Sequence, residues 1–202
     1  MQDNIGIFGG TYDPPHLGHL ILAAEALDQL GLSKVLWVLT PIPPHKLEQT
    51  ITPLEHRLVM TQLMLDDYPQ FELSRAEIDR PGPHYMLETI RVIKTRSPDV
   101  NPFLLVGGDS LQDLPSWHRP AELVSACQGL GVMRRPNDTI DLKSLEEILP
   151  GLSDKVQFIN APLLEISSRD IRKRISESRV FRHYLTPLVY EYILKTGLYL
   201  QR

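Results

Sequence analysis

The chain has 202 residues, 42% of them hydrophobic and 23% charged, a composition expected of one soluble globular domain spanning 1–202. Its formal charge of −4 lacks the basic balance typical of nucleic-acid binders, while small anionic substrates and a local basic site stay compatible with it. No basic segment leads into an apolar run, no stretch nears the roughly 18 apolar residues of a membrane span, and the single cysteine, Cys127, excludes an intrachain disulfide framework. These features predict a cytoplasmic protein with no nucleic-acid and no membrane partner; a homo-oligomer is compatible with them.

In chain order, residues 5–8 (Ile-Gly-Ile-Phe) read as a short buried strand. Leu17, Leu20, Ile21, Ala24, Leu27 and Leu30 then recur at helical spacing until Gly31. Between strand and helix lies Gly9-Gly10-Thr11-Tyr12-Asp13-Pro14-Pro15-His16-Leu17-Gly18-His19, a glycine-rich turn that puts two histidines at a helix N-terminus. Residues 35–39 form the next strand candidate, and 40–53, rich in proline and polar residues, read as a loop carrying Pro43-Pro44-His45-Lys46. Thr52-Pro53-Leu54-Glu55 has the form of a capping box with proline at the first helical position, predicting a helix over about 54–67. Residues 79–85 are a second irregular connection, succeeded by a helix over about 86–96.

Residues 103–106, 130–133 and 156–159 are further strand candidates separated by amphipathic segments. The first of these runs into Gly107-Gly108-Asp109-Ser110, where a carboxylate can accept hydrogen bonds from ribose hydroxyls. Ser167 and Asp170 have capping spacing, so another helix starts there, and Thr186-Pro187 with Gly197 bracket the last one. The alternation implies an α/β fold: a Rossmann-like, doubly wound, mostly parallel sheet with helices on both faces and a C-terminal helical segment of about 167–202 packed on it. Neither an internal repeat nor a low-complexity tract interrupts the chain.

Three readings compete for the His-x-x-His turn. It is a structural turn whose histidines cap a helix; or it is half of a zinc site, for which no third ligand falls at metal spacing; or it is a phosphate site. The third leads, because unpaired backbone N–H groups and the positive end of the helix dipole attract anions and glycines let a ligand approach closely. Neither the Gly-Lys-Ser/Thr of a P-loop nor Gly-x-Gly-x-x-Gly is present.

The stretch from Gly9 to His19 resembles the first motif of the His-x-Gly-His nucleotidyltransferase superfamily, and within it the bacterial nicotinate mononucleotide adenylyltransferase family. The likeness extends through the Pro43–Lys46 segment, Gly107–Ser110, Arg134-Arg135-Pro136, Ile166–Arg172 and residues 192–199. It implies transfer of the adenylyl group of ATP to nicotinate mononucleotide, with ATP and that nucleotide as partners and magnesium carried by ATP rather than by protein ligands. It further implies His16, His19 and Lys46 as catalytic; Gly9, Gly10, Thr11, Gly18, Gly107, Asp109, Ile166, Ser167, Ser168 and Arg172 at ATP; and Thr11, Tyr85, Met86, Asp109, Trp117 and His118 at the pyridine nucleotide. Trp117 is the ring-stacking candidate, against a plain core tryptophan.

Arg169, Met86 and His118 depart from the family's usual threonine, threonine and tyrosine. Pyridine recognition through backbone N–H groups survives these changes, whereas recognition through hydroxyls does not. At this stage His45, Arg57, Arg134 and Arg135 are each either a ligand contact or a solvated charge. The rivals are a related enzyme using nicotinamide mononucleotide or phosphopantetheine, and a nucleotide-binding module without turnover.

Overall fold

The computed structural model describes residues 3–43, 50–134, 140–162 and 164–200. Lys46, His45 and Arg135, expected near the phosphates or left open above, lie outside the described residues.

β1 (Asp3–Gly10) enters the middle of the molecule, and its Ile5, Ile7 and Phe8 side chains are buried. Burial on both faces is why a continuous apolar run, rather than an alternating one, forms such a strand. α1 (Leu17–Gln29) follows and stops at Gly31, which takes φ +58°, the left-handed conformation that ends helices. β2 (Lys34–Leu39), α2 (Leu54–Leu65), β3 (Phe71–Ser74), α3 (Met86–Arg96) and β4 (Val100–Gly107) complete the first half and open the second. Then come α4 (Gly108–Gln112), a 3-10 turn (Leu114–Ser116), α5 (Pro120–Ala126), β5 (Gly129–Met133), α6 (Leu142–Ile148), β6 (Val156–Ile159), α7 (Ser168–Ser176), a 3-10 turn (Arg182–Tyr184) and α8 (Pro187–Thr196).

The strands form one six-stranded sheet of order β3-β2-β1-β4-β5-β6, every neighbouring pair parallel. Strand order reverses between β1 and β4, the switch point outside whose carboxyl ends such sheets bind ligands. Alternation along β4 divides the core: Phe103 and Leu105 face a cluster with Leu20 and Ala23 of α1, Met60 and Met64 of α2, Ile171 of α7 and Val189 of α8. Leu104 and Val106 face the opposite cluster with Leu87 and Ile90 of α3, Leu123 of α5 and Leu145 of α6. Helices thus cover both faces, and α7 and α8 share the core of α1 and α2. Among the described residues no helix is long and apolar enough to cross a membrane.

Three expectations need correction. β3 was not foreseen: it is four residues long and pairs only with β2, so it offers little apolar signal. α2 begins one residue later than the expected capping box, with Pro53 rather than Thr52 at its N-cap, and ends at Leu65. Thr52 is drawn elsewhere, its carbonyl accepting from Arg57 Nε at 2.8 Å and its N–H donating to Asp13 at 3.2 Å. Thr186 does stand at the N-cap of α8 with Pro187 behind it, yet its hydroxyl makes no capping bond.

Candidate active site

β1 and β4 pair with Phe8 opposite Leu105, so their carboxyl ends bring Gly9-Gly10 and Gly107 to one edge of the sheet. A Cβ at Gly107 would meet nothing within 4 Å, and the edge is open there. A Cβ at Gly18 would instead stand 3.1 Å from His16 Nδ1, so a glycine lets the His16 ring lie across the start of α1.

His16 is the N-cap of α1 and only 5% exposed. Its backbone N–H donates to His19 Nδ1 at 3.2 Å, and the two imidazoles stack with centroids 3.7 Å apart and planes at 28°. The helix-capping reading is therefore part of what these histidines do. Their arrangement also restricts their protonation: Nδ1 of His19 is an acceptor, so its ring proton in the neutral form sits on Nε2. Beneath them Tyr12, buried and at φ +49°, meets the His19 ring edge-on at 5.2 Å and donates its hydroxyl to the Phe8 carbonyl at 2.7 Å. Burial pushes the Tyr12 phenol well above its ordinary value, which keeps that donor protonated.

The turn from Thr11 to His16 is held from three directions. Arg57, 2% exposed, donates from Nη1 to the carbonyls of Thr11 (3.0 Å) and Thr40 (2.8 Å), from Nη2 to Pro41 (2.7 Å) and from Nε to Thr52. Burial pulls its pKa down and the nearby Asp13 carboxylate pushes it back, leaving a charged clamp on the two loops that follow β1 and β2. From α7, Arg172 Nη1 donates to the Asp13 carbonyl at 2.6 Å and the Ser168 hydroxyl to the Pro14 carbonyl at 2.8 Å. From the C-terminal tail, the Tyr199 hydroxyl donates to Asp13 Oδ1 at 2.7 Å. Arg57, left open by its sequence context, is thus a buried structural cation; Asp13 and Tyr199 were not singled out at all.

Ser168 and Arg172 come to this turn and Ser167 stands at the N-cap of the same helix, but all three side chains are engaged within the protein. Ser167 caps α7, accepting from the Asp170 N–H at 3.1 Å as its spacing predicted. What α7 presents toward an anion is its first-turn backbone, since the N–H groups of Ser168 and Arg169 have no carbonyl of their own helix to reach. Ile166 and Ser167 line an open cleft of about 110 Å³ together with Asp170, Arg174 and Tyr184.

The residues expected at the pyridine fall into pairs. Tyr85 and His118 stack at 4.1 Å with planes 14° apart. Met86 and Trp117 both pack on the cluster behind β4, and the Met86 methyl lies so close over the end of β1 that a Cβ at Gly9 would come within 2.5 Å of it. Trp117 is half-buried, so it is neither wholly core nor free of it. Asp109 sits exposed in the first turn of α4, directly after the open Gly107. Arg134 lies over the Phe158 ring at 4.1 Å, a cation–aromatic contact at the far strands.

A doubly wound parallel sheet with a histidine pair at the first helix N-terminus defines a nucleotidyltransferase architecture, and the chain belongs to the cytidylyltransferase-like family, whose profile matches residues 7–174. It is 41% identical over 198 residues to a Thermomicrobium roseum protein named "Probable nicotinate-nucleotide adenylyltransferase", covering 98% of this chain and 92% of that one. A Roseiflexus protein of the same name is 40% identical over 195 residues, 96% of this chain and 97% of the relative. In fold it matches a Plasmodium falciparum nicotinic acid mononucleotide adenylyltransferase complexed with NaAD, with a TM-score of 0.81 at 22% identity over 98% of this chain and 97% of that one.

Proposed function

We propose that the chain is a nicotinate-nucleotide adenylyltransferase: a phosphate oxygen of nicotinate mononucleotide attacks the α-phosphorus of ATP, the bond to the β-phosphate oxygen breaks, and deamido-NAD and pyrophosphate are released. The observation that carries this reading is the stacked His16–His19 pair at the N-terminus of α1, beside the β1–β4 switch point, in a chain about 40% identical to relatives of that name.

In this reading the chemistry is positioning and charge stabilisation, with no covalent intermediate. His16 and His19 contact the transferring phosphoryl group at the turn that carries Gly9, Gly10, Thr11 and Gly18, and Lys46 neutralises the triphosphate. Asp109 after Gly107 takes a ribose, and the backbone at the start of α7 takes phosphates while Arg172 holds the adjoining turn through the Asp13 carbonyl. Tyr85, Met86, Trp117 and His118 enclose the pyridine. Magnesium enters on ATP. We place the reaction in the cytoplasm, where its nucleotide substrates are made.

The test is pyrophosphate release by the purified chain with magnesium ATP and either nicotinate or nicotinamide mononucleotide. A strong preference for the nicotinate form is the expected result. Equal use of both means that Met86 and His118 have opened the pocket, and release from neither turns the assignment to other acceptors or to a binding module.

A further inference from the structure

Asp13 stands where three separate parts of the chain meet. It is 4% exposed, and its two carboxylate oxygens accept from different segments: Oδ1 from the Tyr199 hydroxyl at 2.7 Å, Oδ2 from the Thr52 N–H at 3.2 Å. Its carbonyl accepts from Arg172. Three residues further on is His16. A buried carboxylate is stable only when hydrogen-bonded or paired, so its donors dictate where the backbone carrying it can lie.

Of those donors, Tyr199 is the most distant in sequence, 186 residues away, and the most constrained. It sits at φ +66°, a conformation that non-glycine residues hold only when their surroundings over-determine it. Its ring packs on the core cluster shared by α1, α2, α7 and α8, with the hydroxyl 4.0 Å from Met60 sulfur. Burial, first, and the Asp13 carboxylate, second, push its phenol far above its ordinary value, so the proton stays in the bond across the pH range in which an enzyme works.

We propose that Tyr199 is a positioning residue for adenylyl transfer: by gripping the Asp13 carboxylate from the C-terminal tail, it sets the turn 11–16, and with it His16, in the geometry that the transferring phosphoryl group requires. The proposal rests on the adenylyl-transfer reading. It gives the tail a role in turnover although Tyr199 touches none of the reacting groups.

The test is Tyr199→Phe in the full chain, which keeps the packed ring and removes the hydroxyl. Both proteins are assayed with magnesium ATP and nicotinate mononucleotide at a temperature where circular dichroism shows both folded. The expected result is a kcat about 10-fold lower with both KM values within about 2-fold, as for a small misplacement of a reacting group. In parallel, the Cε1–H proton resonances of His16 and His19 should shift in the variant, while that of exposed His183 stays. A purely structural tyrosine would lower the melting temperature and leave kcat and the histidine resonances alone. A kcat within 2-fold of wild type, or unmoved His16 and His19 resonances, overturns the proposal. A wild-type chain that releases no pyrophosphate overturns the adenylyl-transfer reading instead, and the positioning role falls with it.

Discussion

His19 does two things with one ring. Nδ1 accepts the His16 N–H and fixes the tautomer, and in the proposed mechanism the same ring also contacts the transferring phosphoryl group. A His19→Ala variant should lose kcat by about 10²-fold, the usual cost of one preorganised donor at a site of growing charge, when assayed well below its melting temperature. An unchanged kcat removes His19 from the mechanism. Both histidines were legible in the sequence because glycines and an apolar helix pattern surround them. The Asp13, Arg57 and Tyr199 contacts were not, since nothing in local spacing tells which of the chain's charged or phenolic groups a distant fold will bring to one buried turn.

At the level of elements, the strand ends do more for the site than the helices' side chains. Gly107 adopts φ −79° and ψ 164°, a backbone conformation that any residue accepts, and has open space where its side chain would be. Folding therefore does not need glycine here, and a ligand at the sheet edge supplies a reason for it. Gly107→Ala should leave the melting temperature unchanged and raise the KM of a nucleotide substrate about 10-fold, a methyl-sized obstruction in a close-fitting site. A variant with wild-type KM would move the nucleotide away from β4. α3 matched its sequence reading because Leu87, Ile90 and Ile93 are buried at helical spacing. α2 likewise starts at Leu54 as its sequence predicts, but the expected cap does not form, because the Thr52 backbone is held by Arg57 and Asp13.

At the scale of the whole molecule, three buried acids among the described residues are held protonated. Burial raises the Cys127 thiol from 9.0 to about 12, and pushes the Tyr12 and Tyr199 phenols above 10.0. In the unfolded chain these groups lose their protons near their ordinary values, whereas in the folded one they keep them. Their contribution to stability is thus complete below about pH 9 and is lost as pH rises, first through Cys127 and then through the tyrosines, at about 1 kcal/mol per pH unit for each. The urea midpoint should fall steadily between pH 9 and 11. In Cys127→Ala its decline should begin nearer pH 10, and a midpoint that stays level in the wild type would contradict the burial of these groups.

Apolar periodicity, glycine turns and capping residues are local quantities, and they alone determined the parallel α/β architecture, most element positions and the glycine-rich turn that puts His16 at a helix N-terminus. The tertiary structure decided what needs contact between remote residues: the strand order that puts β1 beside β4, the short edge strand β3, the burial of Arg57 among four loop carbonyls and the reach of Tyr199 to Asp13. The division follows from the physics, because helix and strand formation depend on neighbours a few residues away, whereas a buried polar group can take its partner from anywhere along the chain.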